Sequence, residues 1–163
     1  MLIMAIYSGF NKTGYCLFEQ NDKIQEGFQY LSSGMVITPK VYQIEDRLNM
    51  IYQKLQKLIV KNKPDIIVLE QLFFFKNQKT AIRVSQAQGV ILLLASQHKI
   101  PIDFLTPLQI KQIITGYGLS DKKNVQKMIF LTLKIKKEIK EDDEVDAIAC
   151  ALAYCYQHRN PLK

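Results

Sequence analysis

The N-terminal part of the chain consists of short apolar runs separated by turn residues. Leu2 to Ile6 is apolar and ends at Ser8-Gly9, and a second strand-like run extends from Thr13 to Phe18. Two such runs around a tight turn predict a β-hairpin. Asn21-Asp22 is typical of a turn, so we predict a third strand from Lys23 to Ser33.

The apolar spacing then changes from strand-like to helical. Between Val41 and Val60, apolar residues recur every three or four positions, which predicts an amphipathic helix closed by Pro64. Ile66 to Leu69 is an unbroken apolar run, typical of a strand buried on both faces in a parallel part of a sheet. Glu70 stands at the end of this strand.

The C-terminal half is mainly helical. Its patterns predict, in order, a helix from Thr80 to Gln97, a strand from Ile100 to Leu105, a helix from Pro107 to Ile114, a helix from Asp121 to about Ile135 with Ser120 as its N-cap, and a helix from Glu144 to Gln157. Strands come first and helices follow, with one parallel segment. We therefore predict a mixed α/β fold in which a central sheet of about five strands carries helices on both faces.

Length, charge and cysteine usage narrow the function. A chain of 163 residues, 48% of them hydrophobic, suits one well-buried core, so we predict a single domain over residues 1–163. The net charge of +7 favours a polyanion such as nucleic acid, although a basic surface also serves solubility alone. Cys16, Cys150 and Cys155 form no CxxC pair and are predicted to be buried thiols. Without a signal peptide or a membrane-length apolar run, we expect a cytoplasmic protein with no membrane contact.

Three acids stand where convergent carboxylates are expected. Glu70 follows a buried run, and a lone carboxylate there is costly unless it is paired or metal-bound. Asp143 and Asp146 lie three residues apart at the start of an apolar helix and so share one side of it. Enzymes that act on phosphodiesters hold divalent metals with such carboxylates. The helix dipole alone also favours acids at a helix N-terminus, and Glu70 also fits an exposed strand end.

Aromatic and basic residues offer a second set of candidates. Phe73-Phe74-Phe75 precedes Lys76-Asn77, a combination that suits stacking on bases of distorted or unpaired DNA but that core packing explains as well. Between residues 122 and 140 the chain contains Lys122, Lys123, Lys127, Lys134, Lys136, Lys137 and Lys140. These lysines fit either a DNA-facing surface or a solvated helix face.

Seven ordered segments complete the sequence pattern. They are Glu70 to Asn77, Thr80 to Ile82, Gln86 to Val90, Thr106 to Gln112, Thr115 to Gly118, Asp121-Lys122 and Asp143 to Ala147. In this order and spacing they closely resemble the RuvC family of bacterial Holliday junction resolvases, and the likeness runs from about Leu2 to His158. The resemblance implies a ribonuclease H-like fold, a homodimer matched to a two-fold junction, and nicking of two symmetric strands with magnesium, or manganese, as cofactor. It also implies RuvA and RuvB, the branch-migration proteins, as partners.

The resemblance also assigns residues. Glu70, Asp143 and Asp146 match three of the four catalytic, metal-binding carboxylates of the family. The predicted DNA-binding residues are Phe73, which matches an aromatic implicated in handling bases at the junction, Lys111 and Lys122, which match basic residues in or near the cleft, and the neighbouring Lys76 and Lys123.

The fourth carboxylate is missing from the first strand. The family reads Ile-Asp-Pro-Gly, three further residues and Thr-Gly-Tyr, whereas this chain reads Ile6-Tyr7-Ser8-Gly9, three residues and Thr13-Gly14-Tyr15. Tyr7 therefore occupies the aspartate position, and residues 1–18 contain no Asp or Glu. A phenol with a pKa of about 10 supplies no charge at neutral pH where magnesium prefers anionic oxygen, so we predict strongly impaired cleavage.

Three functions stay open on the sequence alone. One is a resolvase that still cuts with Glu70, Asp143 and Asp146, and another is a protein that binds four-way junctions without cutting them. A third is a nucleotide binder of the sugar-kinase or actin type, whose core also opens with a strand, a glycine turn and a hairpin. That fold needs a second, adenosine-binding domain, for which this chain is too short.

Overall fold

Ten elements of secondary structure make up the fold. The computed structural model describes residues 1–23, 25–71, 78–135 and 139–159, apart from the side chains of residues 78 and 79. The elements are β1 (Leu2–Tyr7), β2 (Lys12–Gln20), β3 (Phe28–Ile37), α1 (Ile44–Asn62), β4 (Ile66–Glu70), α2 (Gln78–Gln97), β5 (Ile102–Leu105), α3 (Pro107–Thr115), α4 (Lys122–Leu133) and α5 (Asp142–Gln157). None of the described helices combines the length and apolar character that crossing a membrane requires.

The strands form one mixed sheet in the order β3-β2-β1-β4-β5. β1 pairs with β2, and β2 with β3, in antiparallel fashion, whereas the β1–β4 and β4–β5 pairs are parallel. Ile6 of β1 pairs with Leu69 of β4, and each strand ends one residue later, at Tyr7 and Glu70. The parallel pairing therefore brings these two side-chain positions to the same edge of the sheet.

A separate apolar core covers each face of the sheet. Alternate residues of β1 divide between them, since Ile3 packs in the core with α3, α4 and α5 while Met4 packs in the core with α1 and α2. β4 divides in the same way, with Val68 on one face and Ile67 on the other. Side chains alternate between faces along a strand, so burial on both faces confirms the prediction of helices on both sides. The three cysteines are buried free thiols, as predicted.

Several predicted boundaries were wrong, among them those of β3, α4 and α5. β3 runs from Phe28 to Ile37 rather than from Lys23 to Ser33, because the Asn21 amide donates to the Gly27 carbonyl and closes a longer loop. Gly27 has a φ of 77°, which glycine adopts without steric cost. The N-cap of α4 is Asp121, whose carboxylate accepts from the Asn124 amide, instead of Ser120. α5 begins at Asp142 rather than Glu144, so Asp143 belongs to its first turn.

Candidate active site

An acidic cleft opens at the edge of the sheet where β1 and β4 end. Its volume is about 230 Å³. The polar side chains that line it are those of Tyr7, Glu70, Lys111, Lys122, Gln126, Asp142 and Asp146, and its apolar wall comes from Pro107, Ile110, Val125, Val145 and Ala149. The fold thus brings together acids that lie more than 70 residues apart in the chain.

Close packing between β2 and α5 positions Asp143. A Cβ atom on Gly14 would lie 1.9 Å from the Asp143 carbonyl oxygen, so only glycine permits this approach. A Cβ on Gly9 would lie 3.7 Å from Asp143 Oδ2, which places that carboxylate beside the β1–β2 turn. Asp143 therefore lies on the hairpin side of the site, and it does not line the cleft that Glu70 and Asp146 share.

Asp146 affects the pKa values of both other predicted metal ligands. Burial, and then Asp146, raise the pKa of Glu70 to about 7 from an ordinary 4.5. Burial, and then Asp146, also raise the pKa of Asp143. The pKa of Asp146 is itself raised by burial, although Lys122 opposes the rise. Asp146 is thus near enough to both Glu70 and Asp143 to raise the pKa of each.

Tyr7 lies inside the field of these acids. The ring is half-buried, and burial raises the pKa of its hydroxyl well above the ordinary value. Asp146, Glu70 and Asp143 raise the pKa of Tyr7 further, in decreasing order. With this raised pKa, the phenol is neutral at neutral pH. A neutral hydroxyl group therefore occupies the strand position at which the family resemblance implies a carboxylate.

Two lysines compensate part of the negative charge. Lys122 Nζ lies 3.2 Å from Asp146 Oδ2 and 3.9 Å from Asp142 Oδ2. Lys12 pairs with Glu141 at the other end of the site and lowers the pKa of Asp143. Lysine ammonium groups thus flank the carboxylates on both sides.

The predicted DNA-binding residues are only partly within the described structure. Lys111 and Lys122 line the cleft. Lys123 is exposed beside Lys122 and does not line it. Phe73 and Lys76 lie outside the described residues, as do Lys136 and Lys137.

The residues present fit the metal site that the resemblance implies only in part. In the described ranges, no three Asp, Glu, His or Cys side chains lie close enough together to hold one metal ion. The hydroxyl of Tyr7 is neutral, and Asp146 accepts a hydrogen bond from Lys122. Magnesium prefers anionic oxygen ligands in near-octahedral geometry. We therefore assign no catalytic step to a bound metal in this chain.

Sequence reasoning missed three features of the site. Lys12 was not singled out, because its partner Glu141 lies 129 residues away. Gly14 appears in the sequence analysis only as part of a motif, although its lack of a Cβ atom lets the first turn of α5 pack closely against β2. Asp142 is not among the acids that the sequence singles out, but it lines the cleft. Of these three features, only Gly14 has a local sequence signal, because a glycine in a strand interior often marks a close approach of another backbone segment.

Comparison with known proteins agrees with this architecture. The family model "Crossover junction endodeoxyribonuclease RuvC" matches residues 3–154. RuvC of Thermosipho melanesiensis is 41% identical over 160 residues, covering 98% of this chain and 99% of that protein. RuvC of Dictyoglomus turgidum is 38% identical over 157 residues, covering 96% of this chain and 98% of that protein.

A solved structure shows the same fold. Thermus thermophilus RuvC in complex with a Holliday junction substrate superimposes with a TM-score of 0.88 at 23% identity, covering 98% of this chain and 95% of that one. The mixed five-stranded sheet confirms the predicted ribonuclease H-like fold. By sequence and by architecture, this chain belongs to the RuvC family of crossover junction endodeoxyribonucleases.

Proposed function

We propose that this chain recognises four-way DNA junctions and that its strand cleavage is strongly impaired. The observation that carries the proposal is the neutral Tyr7 hydroxyl among Asp146, Glu70 and Asp143. In the family pattern an aspartate at this position completes a set of four carboxylates. Its replacement removes one anionic ligand and places a bulkier ring in the same space.

Glu70, Asp143 and Asp146 are proposed as the remaining catalytic and metal-binding residues. They still offer hard oxygen atoms, so we expect weakened Mg²⁺ or Mn²⁺ binding rather than a complete loss. The competing proposal is an endonuclease that still cuts with these three acids alone. It is favoured by one observation, since Glu70 and Asp146 share the cleft and Asp146 raises the pKa of Glu70.

Junction binding does not depend on the missing acid. Contacts to phosphates position a protein on DNA, and removing a negative charge from the cleft reduces repulsion of the backbone. Lys111 and Lys122 support such contacts because they line the cleft. Lys123, the neighbour of Lys122 in the chain, is exposed. By resemblance, Phe73 and Lys76 would contribute at the junction centre. The net charge of +7 has the sign that this role requires.

The resemblance extends the proposal to partners and location. We propose one RuvC-like domain over residues 1–163 that acts in the cytoplasm as a homodimer, with RuvA and RuvB as functional partners. Apolar residues on α2 support a dimer surface, since the side chains of Ile82, Leu92 and Leu93 are 61%, 40% and 53% exposed.

A nicking assay tests the catalytic part of the proposal. Four proteins are incubated with a labelled four-way junction and Mg²⁺ or Mn²⁺: the unchanged protein, Tyr7→Asp, Tyr7→Phe and Glu70→Gln. We expect symmetric nicks only from Tyr7→Asp, because only that variant restores the carboxylate. Tyr7→Phe keeps the ring and removes the hydroxyl group, so it controls for the size of the side chain. Cleavage by the unchanged protein well above Glu70→Gln would establish the competing proposal.

Binding is measured separately, with the metal removed. In a gel shift with EDTA we expect the unchanged protein to prefer the junction over duplex DNA of the same length. Equal affinity for the two DNAs would refute junction recognition, whatever the nicking assay shows.

A further inference from the structure

A second pocket lies at the same edge of the sheet but on the side of α1 and α2. Its volume is about 430 Å³, and its charged and aromatic lining includes Phe10, Lys40, Arg47 and Arg83. Phe10 follows the end of β1, Lys40 follows β3, and the arginines belong to α1 and α2. Three separate parts of the chain thus supply cations to one concave surface.

Arg47 is buried with unused hydrogen-bonding capacity. Its side chain is 5% exposed and stacks on the Phe10 ring, with the guanidinium carbon 4.0 Å from the ring centroid. Nη2 donates to the Asn11 side chain, the Thr38 hydroxyl and the Phe10 carbonyl. Nε has no hydrogen-bond partner. A buried charged group without a full set of partners is costly, so an anion near the guanidinium group would stabilise it.

The positive charge of the pocket is not neutralised by nearby acids. Arg83 lies over the same ring, with its guanidinium carbon 5.9 Å from the centroid of Phe10. Burial, and then the charge of Arg83, lower the pKa of Arg47. In the described part of the chain, no carboxylate lies within ion-pair distance of Arg47, Arg83 or Lys40.

The start of α1 adds backbone donors to the pocket. Gln43, its N-cap, lines the pocket and makes no side-chain capping bond, so the first amide groups of the helix keep their donor capacity. Glu45 and Asp46 lie in this first turn and reduce its positive potential. Both are exposed and form no ion pair with the three cations. The net arrangement still presents two guanidinium groups, one ammonium group and a helix N-terminus.

Short stretches of chain connect the linings of this basic pocket and the acidic cleft. A smaller depression of about 200 Å³ shares Tyr7 and Glu70 with the cleft and is also lined by Gly9 and Val84. Gly9 directly precedes Phe10, and Val84 directly follows Arg83. Only Ser8 and Gly9 separate Tyr7, which lines the acidic cleft, from Phe10, which lines the basic pocket.

We propose that the pocket of Lys40, Arg47 and Arg83 binds one backbone phosphate of the DNA strand that runs past the acidic cleft. The assignment rests on the proposed function, because it takes DNA as the ligand. Guanidinium groups and helix N-terminal amides are the donors that phosphate oxygens accept from most readily. Lys40 and Arg83 are exposed, so a phosphate that belongs to a polymer can reach them. A closed site would admit only a free anion.

Salt dependence of binding tests the phosphate contact. The affinity for a four-way junction is measured by fluorescence anisotropy at several salt concentrations for Arg83→Ala, Lys40→Ala and the control Lys57→Ala. All three residues are exposed, and Lys57 lies near the other end of α1, so folding is preserved and the charge change is matched. We expect Arg83→Ala and Lys40→Ala to bind the junction several-fold more weakly. The plot of the logarithm of the binding constant against the logarithm of the salt concentration should also be less steep, by about 0.9 for each phosphate whose neutralising cation is removed. Slopes equal to that of Lys57→Ala would overturn the assignment.

A methylphosphonate scan identifies the source of the phosphate. Single neutral linkages are placed along one junction strand, and one position should weaken binding of the unchanged protein while leaving Arg83→Ala unaffected. If no position behaves this way but inorganic phosphate saturably shifts the Arg47 and Arg83 Nε–H signals in NMR spectra, the site is for a free anion and the DNA assignment is wrong. If the unchanged protein binds junction and duplex equally yet shows the position effect, the proposed junction recognition fails while the phosphate site stands.

Discussion

The raised pKa of Glu70 makes the stability of the protein depend on pH in a defined direction. The folded state holds the Glu70 proton more tightly than the unfolded chain, because the pKa rises from 4.5 to about 7 on folding. Between these values the folded state binds more protons than the unfolded state. The free energy of unfolding therefore falls as pH rises through this window, and the loss is complete above it.

The magnitude follows from the same shift. A pKa change from 4.5 to about 7 corresponds to at most about 3 kcal/mol of lost stability. Glu70 is partly exposed, so solvent screening reduces this figure. Asp143 and Asp146 also have raised pKa values and add to the loss with the same sign. The contribution of Glu70 must therefore be obtained as a difference between two proteins.

Glu70→Gln isolates that contribution. Urea unfolding is measured with EDTA present at pH 5 and pH 8 for the unchanged protein and for the variant, which keeps the shape but does not titrate. We expect the unchanged protein to lose about 1 to 3 kcal/mol more than Glu70→Gln between the two conditions. Asp146→Asn should reduce the loss attributable to Glu70, because Asp146 is the second cause of the raised pKa. The same pH dependence in the unchanged protein and Glu70→Gln would refute the reasoning.

Two further predictions concern the carboxylate set and its support. Tyr7→Asp should lower the melting temperature in EDTA, because it adds a negative charge to those of Glu70, Asp143 and Asp146. Addition of 10 mM Mg²⁺ should then raise the melting temperature of Tyr7→Asp more than that of the unchanged protein. An equal rise in both proteins would contradict the poor fit of the unchanged residues to a metal ion. Gly14→Ala should destabilise the protein by about 1 to 3 kcal/mol in urea unfolding, because its Cβ meets the Asp143 carbonyl. Gly89→Ala is the matched control, since a Cβ there meets nothing within 4 Å, and similar losses in both would show that the close approach at Gly14 is not the cause.

Local sequence patterns determined most of the elements. The unbroken run from Ile66 to Leu69 indicated a strand buried on both faces, and the structure places its residues in two cores. The missing acid was also visible in sequence, because the motif around Tyr7 keeps its register on both sides. The strand prediction was confirmed because side-chain periodicity is a property of neighbouring residues, whereas the missing acid stays a prediction.

The charge arrangement was decided only by the tertiary structure. The sequence predicts that Glu70, Asp143 and Asp146 converge, but not that Asp146 raises the pKa of both other acids and accepts a hydrogen bond from Lys122. The basic pocket had no sequence signal at all, since Arg47 and Arg83 stand 36 positions apart on different helices. Burial and electrostatic coupling depend on distances between segments that are remote in the chain. Those distances are set by how the helices and strands pack, which no local pattern contains.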